Sequence, residues 1–296
     1  MNRIRCDPRG QEDAENARAG EHRGAGSAGA APDDRFGKFS FVLVRPKAAG
    51  NIGAAARALK NMGFGDLRLV APQSFVPPAA AAMAVHAEDV LHSTSVYSGL
   101  AQALSEHTLT AGTTCRRRAY RDHAGELRQC AMMLAKAAAT NRVAVIFGPE
   151  DDGLSNQELK LCQHLIVIPA SASYSSLNLA QAVMLVAYEL MMALRDIGDG
   201  AADDVESAGS ARMAHAPVGE VQAMLERLER ALIEVGFLPA ESPDRIMFAI
   251  RGILSRSGLS QRETDILSGI ASQIRWFADE GHQTLAAKRR AGRKIR

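Results

Sequence analysis

From Phe36 to Leu194 the chain alternates strand-like apolar runs with segments whose apolar residues return at helical spacing. The runs "FSFVLV", "DLRLV", "TLTAG", "RVAVIF" and "HLIVIP" are predicted as strands. Between them fall a helix entered at Asn51, an Ala-rich helix around Ala79 to Leu91, one across Glu126 to Ala138, and a short one after Ser155. A long helix from about Leu177 to Leu194 closes the series. Alternation of this kind predicts an α/β fold with a mostly parallel sheet covered by helices.

Residues 197–216 break the pattern; they are polar, Gly-containing and aperiodic, and read as a linker. Beyond them only helical spacing is found. Val221, Met224, Leu225, Leu228, Leu232 and Val235 share one face, with Gly236 where a C-terminal cap belongs. Ser242 and Pro243 offer an N-cap and first-turn pair for a helix carrying Ile246, Met247, Ile250 and Leu254. Ser260 and Glu263 form a capping box for a third, carrying Ile266, Leu267, Ile270 and Ile274. The predicted organisation is a disordered tail over 1–35, an α/β domain over 36–196, the linker, a small all-α domain over 217–281, and a basic tail over 282–296 ending "KRRAGRKIR".

Composition narrows the classes. The 296 residues are 47% apolar and 23% charged, and no stretch approaches the roughly 20 uncharged apolar residues that cross a bilayer. The N-terminal tail has basic residues but no apolar core, so it is not expected to act as a secretory signal, and a cytoplasmic location with no membrane partner is expected. Cys6, Cys115, Cys130 and Cys162 lie far apart without metal-ligand spacing, so neither a disulfide framework nor a metal site is expected. A net charge of +2 announces no polyanionic partner, which leaves the distribution of charge to decide.

Three segments at the C-terminal ends of predicted strands carry the chemistry, where open parallel sheets place their ligands. The first is "NIGAAARALKNMGF". Here Asn51 can cap a helix and Gly53 lets the backbone approach another chain or ligand, while Arg57, more than one turn inside, reads equally as a solvated side chain. The second is "VIFGPEDDGLSNQEL", where a strand ends in Gly148, Gly153 allows a positive φ, and Ser155 with Glu158 forms a capping box. It could equally be an ordinary strand-to-helix turn. In the third, "IVIPASASYSSLNLAQAVMLVAYEL", a strand breaks at Pro169 and Asn178 stands near the start of an otherwise apolar helix. A structural tie between loops is one reading of that asparagine.

Taken in order, N-x-G-x-x-x-R, F-G-x-E-x-x-G-L-S and I-P-x-x-x-x-x-x-S-L-N-L-A resemble the three motifs of the SPOUT superfamily of trefoil-knotted RNA methyltransferases. The resemblance covers about Phe39 to Leu194 and is nearest to the SpoU/TrmH branch, which methylates ribose 2′-hydroxyls. With "GTTCRRR" and the helical extension containing "VGFLP", it extends to the tRNA methyltransferases of that branch that act in the anticodon loop, at position 32. The resemblance implies a parallel sheet with a C-terminal trefoil knot, a homodimer, RNA (tRNA) as partner, and S-adenosyl-L-methionine as cofactor.

Carried over residue by residue, it implies that Asn51, Arg57, Ser176 and Asn178 form the catalytic group. Thr113, Thr114, Cys115, Gly148, Glu150, Ile168, Ser176, Leu177 and Asn178 would bind the cofactor. Ala172 is a departure, since many relatives have glycine three residues after the motif-three proline. Arg45, Lys47 and Lys60 around the first motif, and Arg116, Arg117 and Arg118 (with Arg121) after Cys115, are expected to meet RNA.

A ribose hydroxyl is a poor nucleophile at neutral pH, so the site must stabilise its oxyanion or take its proton. Arg57 is a poor candidate for the base, but its fixed donors can bind phosphate and favour an alkoxide. Two rivals share the same core motifs: a ribosomal RNA methyltransferase of the branch, and a silent knotted RNA-binding protein. A nicotinamide-dinucleotide fold would need G-x-G-x-x-G after the first strand, and "RPKAAGNIGAAAR" does not fit it.

Overall fold

The structure, a computed structural model, describes residues 34–73, 77–114, 124–171, 173, 175–199 and 214–281. Residues 1–33 of the predicted N-terminal tail, the basic tail, most of the linker, and Cys115, Arg116, Arg117, Arg118, Arg121 and Ala172, with Cys6 in the tail, lie outside these residues, while Asp34 and Arg35 open a short 3-10 helix, Asp34–Lys38.

Seven strands form one sheet: β1 (Phe39–Val44), β2 (Asp66–Val70), β3 (Ser95–Tyr97), β4 (Leu109–Thr114), β5 (Ala124–Glu126), β6 (Val143–Phe147) and β7 (His164–Val167). Their spatial order is β3-β2-β1-β6-β4-β7-β5, and every ladder is parallel. β1 and β6 are buried along their whole length, because the sheet is covered on both faces.

The period of two divides their side chains between two cores. Phe39, Phe41 and Leu43 pack with Ile52 and Leu59 of α1 (Ala49–Asn61) and Val183 and Leu190 of α7 (Leu179–Asp199). Val42 and Val44 point the other way, onto Ile146 of β6 and Leu100 and Leu104 of α4 (Leu100–Leu104). The remaining helices of this part are α2 (Pro77–Ala84), α3 (Glu88–His92), α5 (Leu127–Ala137) and α6 (Asn156–Leu159).

The sequence reading needs four corrections. Helix α1 begins at Ala49, two residues before Asn51, so Asn51 stands inside the first turn and is not the N-cap. The Ala-rich segment is two helices, α2 and α3, parted at His86, whose φ is +65°. The three-residue edge strands β3 and β5 escaped notice because "SVY" and "AGE" are too short to show a period. Pro243 precedes α9 (Asp244–Ser257) without a side-chain cap, so Ser242 does not cap it.

The C-terminal part is helical, with α8 (Val218–Glu234), α9 and α10 (Gln261–Trp276) around Met224, Leu225, Leu238, Met247 and Leu259. Its predicted signals at Gly236 (φ +75°) and in the Ser260/Glu263 capping box are present. Helices α8 and α10 run together, and Arg275 Nε donates to both oxygens of Glu234 at 3.0 and 2.9 Å. This part meets the sheet through backbone: Val218 N–H donates to His107 O at 2.6 Å and Gly219 N–H to Ser105 O at 3.2 Å. The contact falls before β4, at the N-terminal end of the parallel strands.

A polar network lies at that same end. Ser40 Oγ donates to Asp66 at 2.5 Å, so His107 Nε2, 2.7 Å from Ser40 Oγ, is the donor in their bond. Arg68 reaches Asp66, Glu106 and the carbonyl of Ala103. Ser, His and Asp meet here, but His107 is 0% and Ser40 2% exposed, so the group serves packing and no substrate can reach it. Nδ1 of His107 is buried without a partner among the described residues.

Two outcomes are expected. A Cβ on Gly53 would stand 1.9 Å from the carbonyl oxygen of Ala80 in α2, a backbone atom that cannot swing aside. Gly53→Ala should therefore destabilise the chain by about 1–3 kcal/mol in urea unfolding. Burial, then the nearby Arg68, pushes the His107 pKa down to about 4 from 6.5. Between those values the unfolded chain holds a proton that the folded chain refuses, so stability should fall as pH drops from 6.5 towards 4 and flatten below, by on the order of 3 kcal/mol. His107→Gln should remove that slope from the melting temperature.

Candidate functional site

The C-terminal ends of β4, β6 and β7 surround a cavity of about 130 Å³. Thr113 and Thr114 close β4, Gly148 follows β6, Ile168 follows β7, and Ser176 and Leu177 precede α7; all six line it, together with Glu150. At Gly148 a Cβ would stand 2.3 Å from the Gly153 carbonyl carbon and the Leu154 nitrogen, so only glycine lets the loop fold back there. The turn is closed by Gly153 N–H donating to Pro149 O at 3.1 Å, with Gly153 at φ +66°. The predicted Ser155/Glu158 capping box then starts α6. Thr113 Oγ1 donates to Ile146 O at 3.1 Å, binding the end of β4 to β6.

Three predicted residues form a junction beside this cavity. Helix α1 has no side-chain cap of its own. Glu150, from the β6 loop, binds the link that leads into it: it accepts from Lys47 N–H at 3.2 Å, from the N–H of Ala48, the residue before the first turn, at 3.5 Å, and from Asn51 Nδ2 at 2.7 Å. A carboxylate suits this place because the first N–H groups of a helix lack partners and carry its positive end. Asn51 Oδ1 accepts from Asn178 Nδ2 at 3.0 Å. Asn178 Oδ1 in turn accepts from Ala180 N–H at 2.9 Å and Gln181 N–H at 3.3 Å, capping α7. Asn178 is exposed, so it ties loops at the surface and not within the core. Burial raises the Glu150 pKa, but hydrogen bonds from Asn51 and from its own, Lys47 and Ala48 N–H groups outweigh it and hold the carboxyl below its usual value.

The predicted RNA-facing cations are not bare. Arg45, at φ +47°, pairs with Glu158; Lys47 pairs with Asp151; Lys60 Nζ lies 2.7 Å from Asp89. Arg57 is exposed and has no hydrogen-bond or ionic partner among the described residues, and it does not line the cavity. Sequence reasoning overlooked Phe147, Pro149, Asp151, Asp152, Gly153, Leu154, Ser175, Leu179 and Ala182, which also line it. Their signal was adjacency, since each sits within or beside a motif already singled out.

Residues 38–188 match the model of the SpoU rRNA Methylase family, and residues 219–289 that of the "tRNA methyltransferase TrmJ, C-terminal domain". The chain is similar to the tRNA (cytidine/uridine/adenosine-2′-O-)-methyltransferase TrmJ of Pseudomonas aeruginosa, 39% identical over 245 residues that cover 81% of this chain and 95% of that one. It is also similar to the tRNA (cytidine/uridine-2′-O-)-methyltransferase TrmJ of Pectobacterium atrosepticum, 35% identical over 81% of this chain and 98% of that one. Among solved structures, TrmJ from Z. mobilis ZM4 superposes with a TM-score of 0.68 at 32% identity, covering 80% of this chain and 98% of that chain.

Loss of the Glu150 junction should be measurable as stability. Glu150→Gln keeps the shape but not the charge and should cost about 1 kcal/mol at pH 7, the scale of a lost helix cap. Because the folded-state pKa is depressed, this contribution is present above 4.5 and lost as pH falls through the folded value. Urea unfolding of the two proteins should therefore converge in acid.

Proposed function

The chain belongs to the SpoU rRNA Methylase family, and we propose that it is an S-adenosylmethionine-dependent methyltransferase acting on a ribose 2′-hydroxyl of tRNA, at position 32 of the anticodon loop. The observation that carries this reading is the junction of Glu150, Asn51 and Asn178, which brings all three motif segments to one cavity edge. The match of residues 219–289 supports tRNA over ribosomal RNA as substrate.

The cavity suits the cofactor chemically. Its wall at Gly148 is bare backbone, Thr113, Thr114 and Ser176 offer hydroxyls, Ile168, Leu177 and Leu179 offer apolar surface, and Asp151 and Asp152 add negative charge. Such a lining fits a ligand with a flat apolar base, a sugar and a cationic centre. Bound there, the cofactor supplies an already activated methyl group. Thr113, Thr114, Gly148, Ile168, Ser176 and Leu177 are the residues proposed to hold it, within the trefoil knot of the family.

The rest of the work falls to the chain. Both ends of the Asn51 amide are engaged, so Asn51 and Asn178 act as positioning residues that fix α1 against the cavity. Glu150 anchors the same helix by its N-terminus. Arg57 rides on that helix with its guanidinium unengaged, and is proposed to bind the reacting nucleotide's phosphate and stabilise the developing 2′-oxyanion. Gly53 is committed to packing against α2 and is not a point of RNA approach.

The proposal includes a homodimer and cytoplasmic action. Leu185 and Tyr188 of α7, 40% and 44% exposed, are consistent with a covered apolar stripe, and no described helix is long and apolar enough to cross a membrane. It also divides the chain into a methyltransferase domain over 36–196 and a tRNA-holding helical domain over 217–281.

Single-turnover methyl transfer to a tRNA transcript tests the reading. Arg57→Ala should cost at least ~100-fold, the scale of one lost oxyanion donor, with cofactor affinity unchanged. Arg57→Lys should also be severely impaired, because an ammonium lacks paired planar donors. Transfer by the unaltered chain to no tRNA would overturn the function, and a near-normal rate for Arg57→Ala would return that residue to the solvated surface.

A further inference from the structure

Lys47 and Asp151 carry opposite charges on two loops that serve different sides of the proposed reaction. Lys47 lies in the link from β1 to α1, where RNA is proposed to approach, while Asp151 lines the cavity beyond β6. Their side chains form an ion pair and are 43% and 49% exposed. The loops are held in this register independently of the pair, since Lys47 N–H donates to the side-chain carboxylate of Glu150, the neighbour of Asp151, at 3.2 Å. The pair can therefore open without the loops moving apart.

The hydrogen bond that Lys47 donates to Asp151 is the leading cause that raises the Lys47 pKa, and the same bond lowers that of Asp151. Asp152 and Glu150 face the same ammonium. The field of three carboxylates acts on one lysine, and the pairing with Asp151 masks its charge from an incoming polyanion. A backbone phosphate that reaches Lys47 must compete with Asp151 for it.

We propose that this ion pair couples the two binding sites: an RNA phosphate takes Lys47 from Asp151, and the freed carboxylate then favours a cation in the cavity. The inference rests on the proposed function and adds to it an order of preference between ligands. S-adenosylmethionine carries a sulfonium and a net positive charge, whereas the demethylated product has lost the sulfonium. RNA should accordingly tighten the reactive cofactor more than the product. By linkage the cofactor tightens RNA by the same factor. For a pair this exposed the factor is about two- to fivefold, falling with salt.

Calorimetry of the full chain with S-adenosylmethionine and S-adenosylhomocysteine, with and without an unmodified tRNA transcript at low salt, tests it. The expected result is a two- to fivefold gain in S-adenosylmethionine affinity with tRNA, and a smaller gain for the product. Asp151→Asn should bind tRNA more tightly without cofactor and lose the coupling. Lys47→Met should bind S-adenosylmethionine more tightly without tRNA and lose it too. Both variants alter surface side chains, and unchanged melting temperatures would verify their folding. Coupling of undiminished size in either variant, or its absence when the unaltered chain binds both ligands, would overturn the inference. Failure of the unaltered chain to bind S-adenosylmethionine at all would instead overturn the proposed function, and this inference with it.

Discussion

The carboxylate of Glu150 is the constraint on which the arrangement of the cavity rests. Helix α1 enters without a cap, and a buried or half-buried helix start with orphan N–H groups is costly. Glu150 takes the N–H groups of Lys47 and Ala48, just ahead of the first turn, from a loop about a hundred residues later in the chain. In doing so it fixes the β6 loop against α1, and through the Asn51 and Asn178 amides it fixes both against the start of α7. Three loops that would otherwise move independently share one hydrogen-bonded junction, so the cavity they border inherits their rigidity. Gly148 makes the junction possible, because any Cβ there would push the loop carrying Glu150 away.

Charge is organised with the same economy. The cations around the first motif are matched to carboxylates of their own chain, Arg45 to Glu158, Lys47 to Asp151 and Lys60 to Asp89. A surface so paired stays near neutral, and the polyanion proposed to bind there would have to compete with those carboxylates. Arg57 is the contrasting case, exposed on a helix whose start is fixed. The helical part meets the opposite end of the strands, at Ser105 and His107, so that its own hydrogen bonds leave the cavity end of the sheet open. The buried network of Ser40, Asp66, Arg68 and His107 supports the sheet at this end.

Much of this is legible in the sequence alone. The apolar runs located five strands, and the Ser155/Glu158 and Ser260/Glu263 boxes were read correctly because a capping box is a local contract between residues three apart. Gly236 likewise ends α8 for reasons internal to its own turn. The edge strands β3 and β5 were not legible: three residues show no period, and such strands exist because a neighbouring strand offers them hydrogen bonds. The break at His86 between α2 and α3 was hidden for a similar reason, since alanines favour helix on both sides and do not announce where it stops.

In the site the division is sharper. Sequence by itself determined which residue types would stand at the ends of the strands and singled out Asn51, Gly53, Arg57, Gly148 and Asn178 in three segments, and the family resemblance added Glu150. It misjudged what two of them touch. Asn51 looked like a helix cap because asparagine before an apolar helix usually is one; it stands instead inside the first turn and bridges Glu150 to Asn178. Gly53 looked like room for a ligand, and the room is taken by the Ala80 carbonyl of α2. Only tertiary structure could decide these points, because local spacing fixes which atoms are available for a contact, while the partner that fills it comes from whichever distant segment the parallel sheet brings alongside.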